Sequence, residues 1–274
     1  KKDFLSGEKI SNEFGVSRSA IWKHINTLKE EGYKIQSAPK KGYRLVSSPD
    51  ILTFGEIEEY LNTSFMGRCI YHFDSLPSTN ITAKEIASES KEGTVVISEE
   101  QTKGKGRLGR NWISPKNRGI WMSIILKPKI EPLEISKLTL VGAAAVNLGL
   151  KDIGVDSYIK WPNDIIIGGK KVCGILTEMS CELNIINYCI VGIGVNVDID
   201  NRYFGKELTK TATSIKNISG KEIDRKKLAA YILNHFEGLY ISFRDRGDIS
   251  SSIKICREKS ILIGKEVQLI TGST

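Results

Sequence analysis

The chain has 274 residues and carries 40 Lys/Arg against 32 Asp/Glu, a net charge of +8. Its composition, 40% apolar and 26% charged, is that of a globular protein, which excludes disordered, collagen-like and staple-dependent small scaffolds. The length favours two domains. Five cysteines without a CxxC pair, and three scattered histidines, offer neither a disulfide framework nor a metal-ligand spacing, so no metal site is assigned. No leader and no apolar run of about 18 residues is read, so no membrane partner and a cytoplasmic location are expected.

Residues 1–48 hold ten Lys/Arg and five Asp/Glu, a net of +5, more than half of the excess. Such asymmetry points to an anionic partner for the N-terminus or to a merely basic face. Ser6 can cap a short helix bearing Ile10 and Phe14, and Gly15 can end it. Ser17 can cap a second helix, in which Ile21, Ile25 and Leu28 form one apolar stripe ending near Gly32. Helix, Gly-containing turn and helix is the helix-turn-helix plan. Ser17, Arg18 and Ser19 stand at the start of the second helix, where base edges and phosphates are met, and Lys23 lies a turn further on. Two β-like runs, Tyr33–Gln36 and Tyr43–Val46, flank Lys40 and Lys41 at the tip of a basic wing suited to phosphate. A helical protein-interaction module is the alternative; helix pair, wing and charge together favour DNA. Ser47 to Asp50 reads as a linker.

Strand-like runs follow at Val95–Ser98, Ile120–Leu126, Ile165–Ile167, Gly174–Met179 and Tyr188–Val197. Helical spacing marks Ile135–Leu150, with a small face at Ala143–Ala145, and Leu228–Phe243. The pattern predicts an α+β domain on a largely antiparallel mixed sheet. Three stretches stand apart from ordinary core. Gln101 to Trp112 alternates glycines with Lys103, Lys105, Arg107 and Arg110, which suits close approach to a phosphate, although composition alone fits a basic surface loop equally. It has neither the phosphate-loop nor the dinucleotide-binding spacing. Lys160-Trp161-Pro162-Asn163-Asp164 positions a lysine beside an aromatic, or is a plain strand-edge turn. Gly192 to Asn196 marks close approach of a ligand or backbone, or a β-bulge.

Together, Phe73–Asn80, Glu99–Trp112, Lys160–Asp164, Gly174–Leu176 and Gly192–Asn196 resemble the biotin–protein ligases in order and rough spacing. With the winged helix-turn-helix, the chain resembles the bifunctional type, which is both biotin ligase and biotin operon repressor. The resemblance implies three regions. They are a winged helix-turn-helix at 1–48, a biotin/lipoate-ligase-like catalytic domain at 49–259, and the start of a C-terminal SH3-like barrel at 260–274, with its first strand near Ile261–Ile270. It implies ATP, Mg²⁺ and biotin as reactants, biotinyl-5′-adenylate as intermediate, and a biotin carboxyl carrier protein as acceptor. Operator DNA and a homodimer of the adenylate-bound form are the other implied partners.

The resemblance also implies residue roles. Ser78, Thr79, Asn80 and Gln101 fall at the biotin ureido end, and Lys105, Gly106 and Arg107 in the loop over biotin and phosphate. Lys160 matches the essential lysine between carboxylate and α-phosphate, with Arg107 as the second catalytic cation. Arg110, Trp112, Asn163 and Asn196 fall on the nucleotide side. The family loop commonly reads GRGRxGR, so Lys105 keeps the charge without the planar fork, and weaker geometric control is expected there. Two rivals remain at this point: a DNA-binding regulator that senses biotin or its adenylate without transferring it, and a lipoate-type ligase.

Overall fold

The computed structural model describes residues 3–267. The chain divides into two compact units, parted between Asp50 and Ile51. In the first, α1 (Gly7–Phe14) and α2 (Arg18–Glu30) are followed by a hairpin of β1 (Lys34–Ala38) and β2 (Gly42–Ser47). The capping chemistry sets the helix bounds. Ser6 Oγ accepts from Lys9 N at 3.1 Å, and Gly15 ends α1 at a φ of 64°. Ser17 Oγ accepts from Ala20 N at 3.2 Å to start α2. A Cβ on Gly42 would lie 2.0 Å from the Leu5 carbonyl oxygen, because Leu5 and Tyr43 exchange backbone hydrogen bonds there, both of 2.8 Å. Gly42 thus lets the N-terminal segment lie against the wing.

The second unit is built on a seven-stranded mixed sheet, flanked by helices. In chain order its elements are α3 (Phe54–Ile57), β3 (Ile70–Phe73), α4 (Thr79–Ile86), β4 (Val95–Ser98), β5 (Gly119–Leu126), α5 (Ser136–Asp152), β6 (Tyr158–Lys160) and β7 (Asp164–Ile167). They continue with β8 (Lys170–Glu182), β9 (Ile185–Asn196), α6 (Asn201–Leu208), α7 (Ile215–Ser219), α8 (Arg225–Arg246) and α9 (Ser250–Glu258). The strand order is β3-β4-β5-β9-β8-β7-β6, and every pair is antiparallel except β3–β4. The long strands and α8 bear out the periodicities read from sequence, extended by a few residues at their ends.

One sheet face carries the main core. Ile120, Met122, Ile124 and Leu126 of β5 join Leu138 and Val141 of α5 with Ile232 and Phe236 of α8. The small residues of α5 are there for approach: a Cβ on Gly142 would sit 3.3 Å from an Ile175 methyl, and one on Gly149 2.9 Å from Ile232. Pro132–Asp152 is long and apolar enough to cross a membrane by length and composition. Its burial between sheet and α8 accounts for that apolarity. The opposite sheet face carries α4, whose Ala83 and Ala87 pack on Val96, Ile125 and Ile190. The candidate site lies on this second face.

The barrel strand expected at Ile261–Ile270 falls partly outside the described residues. Positions 261–267 form turns and bends. Just before them, Ser260 bridges Ile159 of β6, with Ile159 N donating to Lys259 O at 2.8 Å. This stretch begins as a flank of the sheet.

Candidate active site

The register of three strands builds the floor of a cleft. Gly194 stands opposite Trp121 of β5 on one side and Gly174 of β8 on the other; Gly192 stands opposite Ser123 and Leu176. Side chains alternate along each strand, so these positions share one face. The glycines leave room for two large groups. A Cβ on Gly192 would lie 2.2 Å from Asn80 Oδ1, and one on Gly194 2.6 Å from Trp112 Nε1. Gly174 sits under the far edge of the same indole, at 2.9 Å. Gly192 and Gly194 thus admit the side chains of Asn80 and Trp112, where a ligand or another backbone was expected.

The N-terminus of α4 supplies a ring of neutral polar groups. Thr79 N donates to Gln101 Oε1 at 2.9 Å, and Gln101 Nε2 donates to Ser114 Oγ at 2.9 Å. Ser123 Oγ lies 2.8 Å from Thr79 Oγ1 and 2.6 Å from Asn80 Oδ1. Asn80 Nδ2 donates to Glu178 Oε2 at 2.7 Å, and Lys84 Nζ donates to Glu178 Oε1 at 2.6 Å. Burial pushes the Glu178 carboxyl up, but Lys84 and the Asn80 amide more than offset it and hold it below the usual carboxylate range. Ser78, Thr79, Asn80 and Gln101 all line the cleft.

The cations come from two elements. The stretch from Gln101 to Trp112 folds back on itself, with Gly106 N donating to Arg110 O at 2.7 Å and Trp112 N to Gly104 O at 2.9 Å. This hairpin brings Lys105, Gly106, Arg107 and Trp112 to the cleft. Arg107 Nη1 donates to Asn163 Oδ1 at 3.0 Å, and Asn163 is itself fixed by its Nδ2 on Ile175 O at 3.1 Å. The third cation is Lys171 of β8, which the sequence reading missed. Its Nζ lies 5.1 Å over the Trp112 ring and 2.7 Å from Asp164 Oδ1, and it lines the cleft. The signal that could have found it is a lysine three residues ahead of the Gly174 strand glycine.

Three expected site residues are not in the cleft wall. Lys160 is exposed at the end of β6, because alternation turns its neighbour Ile159 inward and Lys160 out. The position expected of Lys160, a cation in the wall, is filled by Lys171. Arg110 is exposed at the far end of the hairpin. Asn196 is buried, with its Nδ2 on Thr213 O at 3.0 Å. Among the described residues, no three His, Cys, Asp or Glu side chains gather into a metal-holding group.

Behind Gln101 lies a buried ionic cluster. Glu99 Oε1 accepts from Leu52 N at 2.7 Å and stands 2.9 Å from His72 Nε2; its Oε2 accepts from Arg225 Nη1 at 2.9 Å. Arg225 also donates to Gly119 O at 2.8 Å. Glu99 and Arg225 are each 1% exposed. Burial pushes the Glu99 carboxyl up, and His72, Arg225 and the Leu52 amide together pull it below its ordinary value.

In the N-terminal unit, Ser19, Lys23, Lys40 and Lys41 are exposed. Ser17 is engaged as the α2 cap, and Arg18 pairs with Glu8 at 2.6 Å, both well exposed and hence weakly held. Lys40 stands at the wing tip with a φ of 61°. Trp22 is 58% exposed on α2, on the same side as Arg18 and Lys23, and was not read as a contact.

The comparisons with known proteins agree with both units. The sequence profile described as "HTH domain" matches residues 1–44, and that of the biotin/lipoate A/B protein ligase family matches residues 72–196. The bifunctional ligase/repressor BirA of Bacillus subtilis is 43% identical over 247 residues, covering 89% of this chain and 76% of that protein. The protein of the same description in Escherichia coli is 28% identical over 271 residues, covering 98% of this chain and 82% of that protein. Among solved structures, the biotin protein ligase of Aquifex aeolicus in complex with biotin and ATP superposes with a TM-score of 0.62 at 30% identity, covering 72% of this chain and 81% of that one. A DNA-binding head of helix-turn-helix type joined to this sheet, this hairpin and this cleft makes the chain a member of the bifunctional biotin–protein ligase/repressor family.

Proposed function

We propose that the cleft activates biotin with ATP and hands it to a carrier protein. The observation that carries this reading is the composition of one wall: neutral hydroxyls and amides (Ser78, Thr79, Asn80, Gln101) beside three cations (Lys105, Arg107, Lys171). Neutral donors and acceptors suit the ureido ring, and the cations suit a carboxylate meeting a phosphate. A carboxylate oxygen of biotin attacks the α-phosphorus of ATP, the bond to the β-phosphate oxygen breaks, and pyrophosphate leaves. A carrier lysine amine then attacks the acyl carbon of biotinyl-5′-adenylate, and AMP leaves with the bonding pair. Both substrates of the first step are anions, so the fixed cations lower the repulsion and stabilise charge on the transferring group. Lys171, rather than Lys160, is assigned the central charge, because its ammonium is held between Trp112 and Asp164 in the wall. Arg107 is the second, steered by Asn163. Mg²⁺ would enter with the ATP phosphates, which need few protein ligands; no step is assigned to it.

The helix-turn-helix unit supports repression of biotin-synthesis genes at operator DNA, with Ser17, Arg18, Ser19, Lys23, Lys40 and Lys41 as its contacts. A homodimer of the adenylate-bound form would present two such heads to two half-sites. DNA and carrier as partners imply a cytoplasmic protein. Incubation with biotin, ATP, Mg²⁺ and a carrier domain is the deciding experiment. Biotinylated carrier is the expected product. A full-length chain that biotinylates none, or that prefers lipoate in direct competition, overturns the reading.

A further inference from the structure

Glu178 does not line the cleft, yet the Asn80 amide and the Ser123 hydroxyl depend on it. An ionised carboxylate only accepts hydrogen bonds, so the Asn80 amide must turn Nδ2 toward Glu178 Oε2, 2.7 Å away. Its Oδ1 is then left facing Ser123 Oγ at 2.6 Å. Oδ1 cannot donate, so Ser123 commits its one proton there. Thr79 Oγ1 lies 2.8 Å from Ser123 Oγ, and its own hydroxyl donates to Gln101 Oε1 at 3.2 Å. Gln101 Oε1 also takes the Thr79 N–H, at 2.9 Å. The Ser123–Asn80 bond is buried, so water does not reverse its sense. Lys84, one helical turn beyond Asn80, takes the other oxygen of Glu178 and keeps it charged.

We propose that Glu178 is a positioning residue: it sets the direction of the Glu178–Asn80–Ser123 chain, so that the cleft offers amide oxygen lone pairs to the ring N–H groups of a cyclic urea. This rests on the biotin-ligase reading and adds its specificity element. A carboxylic acid without ring N–H donors, such as lipoate or octanoate, leaves those acceptors unpaired. A site built for a hydrogen bond rejects the analogue that lacks it far more strongly than an apolar pocket rejects a missing methylene. Glutamine at 178 offers both a donor and an acceptor, so the Asn80 amide can turn over and the chain loses its single sense.

The test uses the full chain with biotin, ATP and Mg²⁺. Glu178→Gln should raise the KM for biotin about tenfold, the loss of one well-placed hydrogen bond, while kcat and the KM for ATP stay within about twofold. The preference for biotin over octanoate should fall by the same factor. Ser123→Ala breaks the chain from β5 and serves if Glu178→Gln does not fold. It should give the same KM-only change, and the double variant should be no worse than the poorer single one. A biotin KM within twofold of wild type in the folded variants, or equal losses for biotin and ATP, overturns the proposal. A wild-type chain that binds no biotin by calorimetry overturns both this and the biotin-ligase reading.

Discussion

Gly192 and Lys171 show how much of the site rests on single positions. A Cβ on Gly192 would stand 2.2 Å from Asn80 Oδ1, a distance that nothing but displacement relieves. Gly192→Ala should therefore push Asn80 off the floor and weaken biotin binding by at least about tenfold, with a fold near wild type, because overpacking at one buried contact costs about 1–3 kcal/mol. Titration calorimetry with biotin checks this. Lys171→Ala removes a fixed cation from the wall and should cut adenylate formation about 10²–10³-fold, the usual cost of losing one preorganised charge-stabilising group. Lys160→Ala, at an exposed strand end, should leave the rate within about threefold. Pyrophosphate release measures both; the reverse ranking would restore Lys160 to the role.

The elements behind the site are joined by the Glu99–Arg225 pair. It ties the segment after the first unit (through Leu52), β3 (through His72), the end of β4, α8 and the Gly119 carbonyl of β5. Glu99→Ala removes the buried carboxylate that Leu52 N, His72 and Arg225 share and should destabilise the unit by about 3–5 kcal/mol, read by urea unfolding. The folded carboxyl lies below its unfolded value, so its stabilisation is present above the unfolded pKa and is lost as pH falls through the folded one. Wild type should therefore lose stability on acidification through the carboxylate range, with a smaller dependence in the Glu99→Ala variant. The central stretches of β5, β8, β9 and α8 were readable because continuous apolar runs and 3.6-residue spacing mark them, while their ends were not. Strand β3, with one inward side at Ile70 and polar His72, gave no such pattern, and neither did the three-residue β6. Helix α4, led by Thr79 and Asn80, is polar at its start because that end faces the cleft.

At the scale of the whole molecule, DNA affinity and ligation belong to separate units. Deleting residues 1–48 should abolish DNA binding, together with its steep salt dependence, and leave carrier biotinylation within about twofold. Gel-shift titration at two salt concentrations and a biotinylation assay on the same preparation decide it. Unchanged DNA affinity would show that the basic head has another partner. The net +8 is accordingly two devices. Residues 1–48 hold +5 of it, and the remaining excess has its functional share in the few cations that the hairpin and β8 bring to one cleft.

The sequence by itself determined the two-part plan, the caps of both head helices, the antiparallel sheet and the family. Each is carried by local chemistry: a Ser beside an apolar stripe, a Gly at a helix end, or a motif read residue by residue. Only the tertiary structure decided which lysine faces the cleft. Lys160 and Lys171 lie eleven positions apart, on β6 and β8 with β7 between them, and both stand beside motif residues. Their positions differ because strand alternation turns one to solvent, while register sets the other beside Trp112 and Asp164. It also decided the work of the glycines at 174, 192 and 194, since the groups they admit, Asn80 and Trp112, arrive from distant segments that no local spacing connects.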